Sequence, residues 1–136
     1  MWQWYALIAM ACFASMQLLF KQLSREGVDT PAILLLVFAF GALFYLAHVR
    51  AMRTPLPATA PVIALLAATA VLSYVGNFFS VRAVASAPNP GYAVALVGLQ
   101  AAVVTIAAVA LQGATLSWIK AIGVALCCLG VALLVI

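Results

Sequence analysis

Apolar residues do not alternate with polar ones along this chain; they run together in five blocks, separated by short polar or proline-bearing breaks. A helix needs roughly 20 apolar residues at about 1.5 Å rise each to cross about 30 Å of hydrocarbon, so each block predicts one membrane-spanning helix. The first runs from about Trp2 to Leu23, with Trp2, Trp4 and Tyr5 at the depth where amphipathic rings favour the headgroup boundary. Ser24 to Thr30 reads as a polar turn, and Pro31 opens the second helix, where a missing N–H has no intrahelical partner to lose. That helix is expected to end near Val49. A loop carrying Pro55 and Pro57 follows, with Thr59 placed to cap a third helix from Pro61 to Val84. Ser86-Ala87-Pro88-Asn89-Pro90-Gly91 is the sharpest break, because each proline biases the residue before it away from helical geometry. A fourth helix from Tyr92 to Leu111 and a fifth from Leu116 to Ile136, with Trp118 as its boundary ring, exhaust the chain. The expected fold class is an all-α integral membrane protein: one transmembrane domain over 1–136 with spans 2–23, 31–49, 61–84, 92–111 and 116–136.

Composition agrees and removes several functions. The 136 residues are 69% apolar and 6% charged, against about a quarter charged in soluble proteins, so water is not the main solvent and no length remains for a soluble domain. The first block has no basic residue before it and outruns a signal-peptide core, so it is expected to stay in the mature protein. The net charge of +4 comes from scattered cations near helix ends, which suits lipid headgroups as partners and not nucleic acid. Cys12, Cys127 and Cys128 fall inside spans, where thiols behave as small hydrophobes. One histidine, no His or Cys pair at metal-ligand spacing and no glycine-rich phosphate loop leave nothing to support enzyme chemistry, a metal or a cofactor.

The positions of the cations change the picture most. An odd number of spans puts the termini on opposite faces. With the first residue on face one, Arg50, Arg53 and Lys120 lie there, while Lys21, Arg25 and Arg82 lie on face two: three against three. Orientation follows the Lys and Arg bias of short flanking loops, and Glu26 and Asp29 contribute little. Insertion in both orientations is the physical expectation; the alternative is that the start amine, His48 or the insertion machinery selects one.

Polar side chains deep in lipid are costly unless they face a cavity or a partner, which singles out Gln17, Asn77 and Gln100. At about 1.5 Å per residue, Gln17 lies about 22 Å from Trp2, Asn77 about 24 Å from Pro61, and Gln100 about 14 Å from Gly91, near the midplane. Tyr74, one turn before Asn77, adds an aromatic surface with a hydroxyl. These four are the candidate substrate-binding residues, with hydrogen bonding between helices as the alternative role. Lys21, one turn beyond Gln17, stands at the mouth or snorkels into headgroups. Gly123, Cys127 and Gly130 form a strip of small residues on the last helix, a candidate subunit contact or a packing face within one subunit. No Asp or Glu lies inside a span, which argues against carboxylate-driven proton exchange.

Three stretches together resemble the EamA-type half-unit of the drug/metabolite transporter superfamily, a relation that covers essentially the whole chain. Ser15-Met16-Gln17-Leu18-Leu19-Phe20-Lys21-Gln22-Leu23 followed by Gly27 and Pro31 is similar to that family's first helix. Ser73-Tyr74-Val75-Gly76-Asn77-Phe78-Phe79-Ser80-Val81-Arg82-Ala83 is similar to its aromatic-rich third, and Gly113 to Ile136 to its closing helix. The chain departs where Ala114 replaces a glutamate that often follows the glycine, and where Ala101 replaces a proline often found in the fourth helix. Ten-helix members are typically two five-helix halves in opposite orientation, and the related small multidrug resistance proteins pair antiparallel with four helices. The resemblance implies a transporter of small organic metabolites or xenobiotics in a bacterial inner membrane, working by alternating access as an antiparallel homodimer. The alternatives are a half-transporter with a different partner chain, a non-transporting accessory or regulatory subunit, and a lipid scramblase.

Overall fold

The helices stop at the turns marked by glycine and proline in a computed structural model of the chain, which describes residues 2–57 and 59–135. Its elements are α1 (Trp2–Arg25), α2 (Thr30–Met52), α3 (Ala60–Ser86), α4 (Pro90–Gly98), α5 (Gln100–Gln112) and α6 (Trp118–Val135), with no strand among the described residues. The all-helical architecture is the one expected. Three of these helices and the stretch Pro90–Gln112 are each long and apolar enough to cross a membrane, and Trp118–Leu134 is a shorter apolar helix. The expected end of the fifth span at Ile136 lies outside the described residues.

Helix ends follow from backbone chemistry. After α1, Gly27 takes a left-handed conformation (φ 81°), Gly27 N–H donates to Ser24 O at 3.2 Å, and Val28 N–H donates to Leu23 O at 3.1 Å. This pair of bonds satisfies carbonyls that the last turn would otherwise leave unpaired. The same pair closes α2, where Arg53 N–H donates to Arg50 O at 3.3 Å and Thr54 N–H to Val49 O at 3.0 Å. There the left-handed position is held by Arg53 (φ 49°) in place of a glycine, a geometry that costs an L-residue about 1–2 kcal/mol. Asn89 caps α4, its side-chain oxygen accepting from Gly91 N–H at 2.9 Å with Pro90 at the first helical position. Gly113 (φ 65°) ends α5.

The fourth span differs from the continuous helix expected over 92–111. Leu99 N–H donates to Leu96 O at 3.2 Å, and Leu99 O accepts from Ala102 N–H at 2.9 Å and from Val103 N–H at 3.3 Å. One tightened turn therefore separates α4 from α5, directly after Gly98, a residue that costs a helix interior about 1 kcal/mol relative to alanine. The last helix begins at Trp118, two residues later than expected.

The chain divides into two compact units, Met1–Ala85 and Ser86–Ile136. In the first, α1 lies against α2, and Lys21 Nζ ties α1 to α3 by donating to Ala85 O at 2.7 Å. Its buried side chains are Phe20 on α1, Ile33 and Leu34 on α2, and Val81 and Val84 on α3. In the second unit α6 lies against both α4 and α5, and Ala93 is buried. Most large apolar side chains face outward: Phe44, Leu111 and Leu133 are 75%, 84% and 77% exposed. Such a surface is far larger than the apolar patches of soluble monomers and is suited to lipid. Three hydroxyls on the spans are satisfied by their own backbone, as a lipid setting favours. Ser15 Oγ donates to Ala11 O at 2.9 Å, Thr69 Oγ1 to Leu65 O at 2.9 Å and Thr105 Oγ1 to Ala101 O at 2.7 Å.

Candidate functional site

Within the first unit, α2 and α3 enclose an apolar groove of about 570 Å³. From α2 come Pro31, Leu34, Leu35 and Phe38, spaced i, i+3, i+4 and i+7; from α3 come Ala70, Ser73, Tyr74 and Phe78, spaced i, i+3, i+4 and i+8. Residues at those spacings share one helix face, so each helix presents a single stripe. Ala70 and Ser73 are small enough to leave space, and the aromatic rings form walls. Tyr74 and Phe78 lie with centroids 6.3 Å apart at 29°, and Phe78 meets Phe79 edge-on at 5.5 Å. The Arg82 guanidinium stands over the Phe78 ring, 5.6 Å from its centroid, a cation–π arrangement at the end of the groove.

Of the four polar and aromatic residues singled out by sequence, Tyr74 lines this groove. Asn77 borders it through Ser73: its Nδ2 donates to Ser73 O at 2.8 Å and to Ser73 Oγ at 3.2 Å. Gln17 is half-buried, and its Oε1 is sealed from solvent without a hydrogen-bond partner, as is Ser24 Oγ on the same helix. An unsatisfied buried acceptor costs about 1–3 kcal/mol, so Gln17 Oε1 keeps an accepting capacity that its own chain does not use. Gln100 belongs to the second unit, where it is exposed and is the first residue of α5, directly after the tightened turn. Lys21 binds a carbonyl near the end of α3, where a cation also complements the helix dipole.

The second unit holds a smaller recess of about 280 Å³ between the α4–α5 turn and α6. Gly123 and Cys127 line it opposite Gly98, Leu99 and Ala102, and Lys120 stands at its rim. Gly130, the third member of the strip, is exposed, and a Cβ built there meets nothing within 4 Å. No cluster of three or more His, Cys, Asp or Glu able to hold a metal occurs among the described residues.

Sequence reasoning searched for polar atoms inside apolar spans and so passed over Leu35, Phe38, Ala70 and Phe78. The one available signal was the matched spacing of small and aromatic residues on α3. It is faint, because α2 and α3 are apolar on all sides and no face stands out by contrast.

The profile of the EamA-like transporter family matches residues 1–136. No curated protein and no solved structure matches significantly. With the match covering all the spans and both units, the chain belongs to the EamA-like transporter family and is an integral membrane transporter of the drug/metabolite transporter superfamily.

Proposed function

We propose that the protein carries small organic metabolites or xenobiotics across a bacterial inner membrane as an antiparallel homodimer with alternating access. The observation that carries the reading is the even division of cations: Arg50, Arg53 and Lys120 on one face, Lys21, Arg25 and Arg82 on the other. With no bias in Lys and Arg there is no dominant orientation, and two opposed copies of a five-helix chain reproduce the inverted repeat on which many transporters are built. Gln17, Tyr74, Asn77 and Gln100 are the substrate-binding residues in this reading, with Lys21 near the mouth. Two features support it. The α2–α3 groove has the volume of a small-molecule site, and Gln17 Oε1 has its hydrogen-bonding capacity unused. Gly123, Cys127 and Gly130 are the proposed subunit contact, and a Cβ built at either glycine meets nothing within 4 Å.

The test is reconstitution into liposomes, with uptake and thermal shift measured against charged, zwitterionic and neutral metabolites for the wild type and for Gln100→Leu and Tyr74→Leu. Uptake by the wild type, with ligand shifts reduced in both variants, is the expected result. Liposomes that take up none of the compounds, with no ligand shift in any lipid, would instead match an accessory subunit. Activity that requires a second chain recovered by pull-down would match a half-transporter.

A further inference from the structure

We infer that the recess of the second unit is a site for an anionic phospholipid. Its phosphate meets Lys120 and the first turn of α6, and one of its acyl chains lies in the recess. The site does not depend on the transport reading.

Shape gives the acyl chain its place. On α6 the wall of the recess is Lys120, Gly123, Val124, Cys127, Cys128 and Val131, spaced i, i+3, i+4, i+7, i+8 and i+11, so they form one continuous helix face. Apart from Lys120 these side chains are small and uncharged. From Lys120 to Val131 the wall covers about 16 Å at about 1.5 Å per residue. That is about half of a roughly 30 Å hydrocarbon core, the depth of one leaflet. Leu99 and Ala102 face it from the tightened turn between α4 and α5. Nothing on the chain fills the space over the glycines of the lining: a Cβ built at Gly98 or Gly123 meets no atom within 4 Å. At about 280 Å³ the recess falls just under the ordinary size of small-molecule sites, whereas an apolar recess of leaflet depth suits a single hydrocarbon chain.

Charge fixes the headgroup end. Lys120 itself lines the recess and has no hydrogen bond, ion pair or ring contact among the described residues, so its ammonium keeps its donors. It is exposed and lies two residues beyond Trp118, the boundary ring that opens α6, which places it at headgroup depth with its stem against the apolar wall. A helix N-terminus favours negative charge, and its first N–H groups lack intrahelical partners. Yet the first turn of α6 holds no acidic residue, and it does hold this lysine. Two positive features therefore stand together without an acidic side chain of their own helix turn. The two carboxylate side chains of the sequence, Glu26 and Asp29, lie between α1 and α2, on the opposite face in the five-span topology. A zwitterionic headgroup would bring a further cation to the face that already carries Arg50 and Arg53; an anionic one brings none. A soluble anion would satisfy Lys120 and leave the apolar length of the recess empty.

The experiment counts the lipids retained by the purified full chain in detergent, by native mass spectrometry, in titrations with dioleoyl phosphatidylglycerol and dioleoyl phosphatidylcholine. The wild type should retain phosphatidylglycerol about fivefold more tightly, the effect of one cation on an anionic lipid. Lys120→Gln should remove that preference and Lys120→Arg should keep it. Arg50→Gln, on the same face but outside the lining, should leave it unchanged. Gly123→Leu, which fills the recess, should weaken both lipids, and Gly130→Leu, on the same strip but outside the lining, should weaken neither. Lysophosphatidylglycerol, with one chain, should compete for the site, and glycerol phosphate, with none, should not. Equal retention of the two lipids by the wild type, or a preference that survives Lys120→Gln or falls as far in Arg50→Gln, would overturn the inference. Lipid loss in Gly130→Leu as large as in Gly123→Leu would do the same. So would competition by glycerol phosphate, which would assign Lys120 to a soluble anion. Detergent has no sidedness, so this outcome is independent of how the chains are oriented in a bilayer.

Discussion

Replacing one arginine should decide which way the protein sits. Arg53 is exposed and lies just beyond α2, and Arg25 is exposed at the last residue of α1. Both therefore stand at the membrane boundary, on opposite faces in the five-span topology. Arg53→Gln leaves Arg50 and Lys120 on face one against Lys21, Arg25 and Arg82 on face two, so face two becomes cytoplasmic and the N-terminus points outward. A cation near an anionic membrane surface is worth about 1 kcal/mol, which corresponds to about a fivefold change in the ratio of the two orientations. Arg25→Gln should move the ratio about fivefold the other way, and the double variant should restore balance. The left-handed backbone at position 53 (φ 49°) does not confuse the comparison, because glutamine is no better suited to it than arginine. The assay is labelling of single cysteines in the 26–29 and 54–57 loops with a membrane-impermeant maleimide, in a background lacking Cys12, Cys127 and Cys128. The wild type should label partly at both loops, and the single variants should label in opposite senses. Complete one-sided labelling of the wild type, or a shift of both variants in the same direction, would refute the charge-balance reasoning and with it the antiparallel assembly.

Three further outcomes follow from the fold. Gly27→Ala places a Cβ in open space but on a left-handed backbone, so it should lower stability in detergent by about 1 kcal/mol; Gly76→Ala, in open space within α3, should raise it by about 0.5–1 kcal/mol. Equal thermal midpoints for the two variants would contradict the assignment of the α1 terminus. Val81→Ala removes two methyl groups from a fully buried position and should cost about 1–2 kcal/mol, whereas Val71→Ala, at 62% exposure, should change little; a chemical-denaturation series in detergent distinguishes them. Gly130→Leu should weaken the cross-linked dimer without lowering the stability of the monomer, because the added side chain meets no atom of its own chain within 4 Å of the Cβ; an unchanged oligomer would remove Gly130 from the interface.

The parts of the fold legible in the chain are those where a residue type has one physical meaning. Gly27, Pro31, Asn89-Pro90 and Gly113 each stand where the backbone must turn or cap, and the helices end or begin there. The turn at Leu99 was not legible. It has no proline, and Gly98 is an ordinary residue inside a membrane span, so nothing local separates α4 from α5. The groove was hidden for a related reason. In a water-soluble helix the buried stripe contrasts with polar neighbours, but on α2 and α3 the stripes that meet each other and those that meet lipid are equally apolar. Tyr74 was found because it carries a hydroxyl; Phe38 and Phe78, with the same position in the wall, carry no such mark. The partnering of Asn77 with Ser73 depends on a rotamer, which sequence spacing does not specify.

The hydroxyls of Ser15, Thr69 and Thr105 each return their proton to the ribbon one turn below. A side chain that closes on its own backbone shows its surroundings little more than a methyl-sized bump, so the bilayer meets a drier surface than a tally of Ser and Thr suggests. Wettability along these rods is therefore concentrated where an amide is too long to fold back completely, or where its oxygen is left over. That confines the search for a water-lined route to very few places, and it makes alanine at those three positions a nearly silent replacement against which the other polar substitutions can be read.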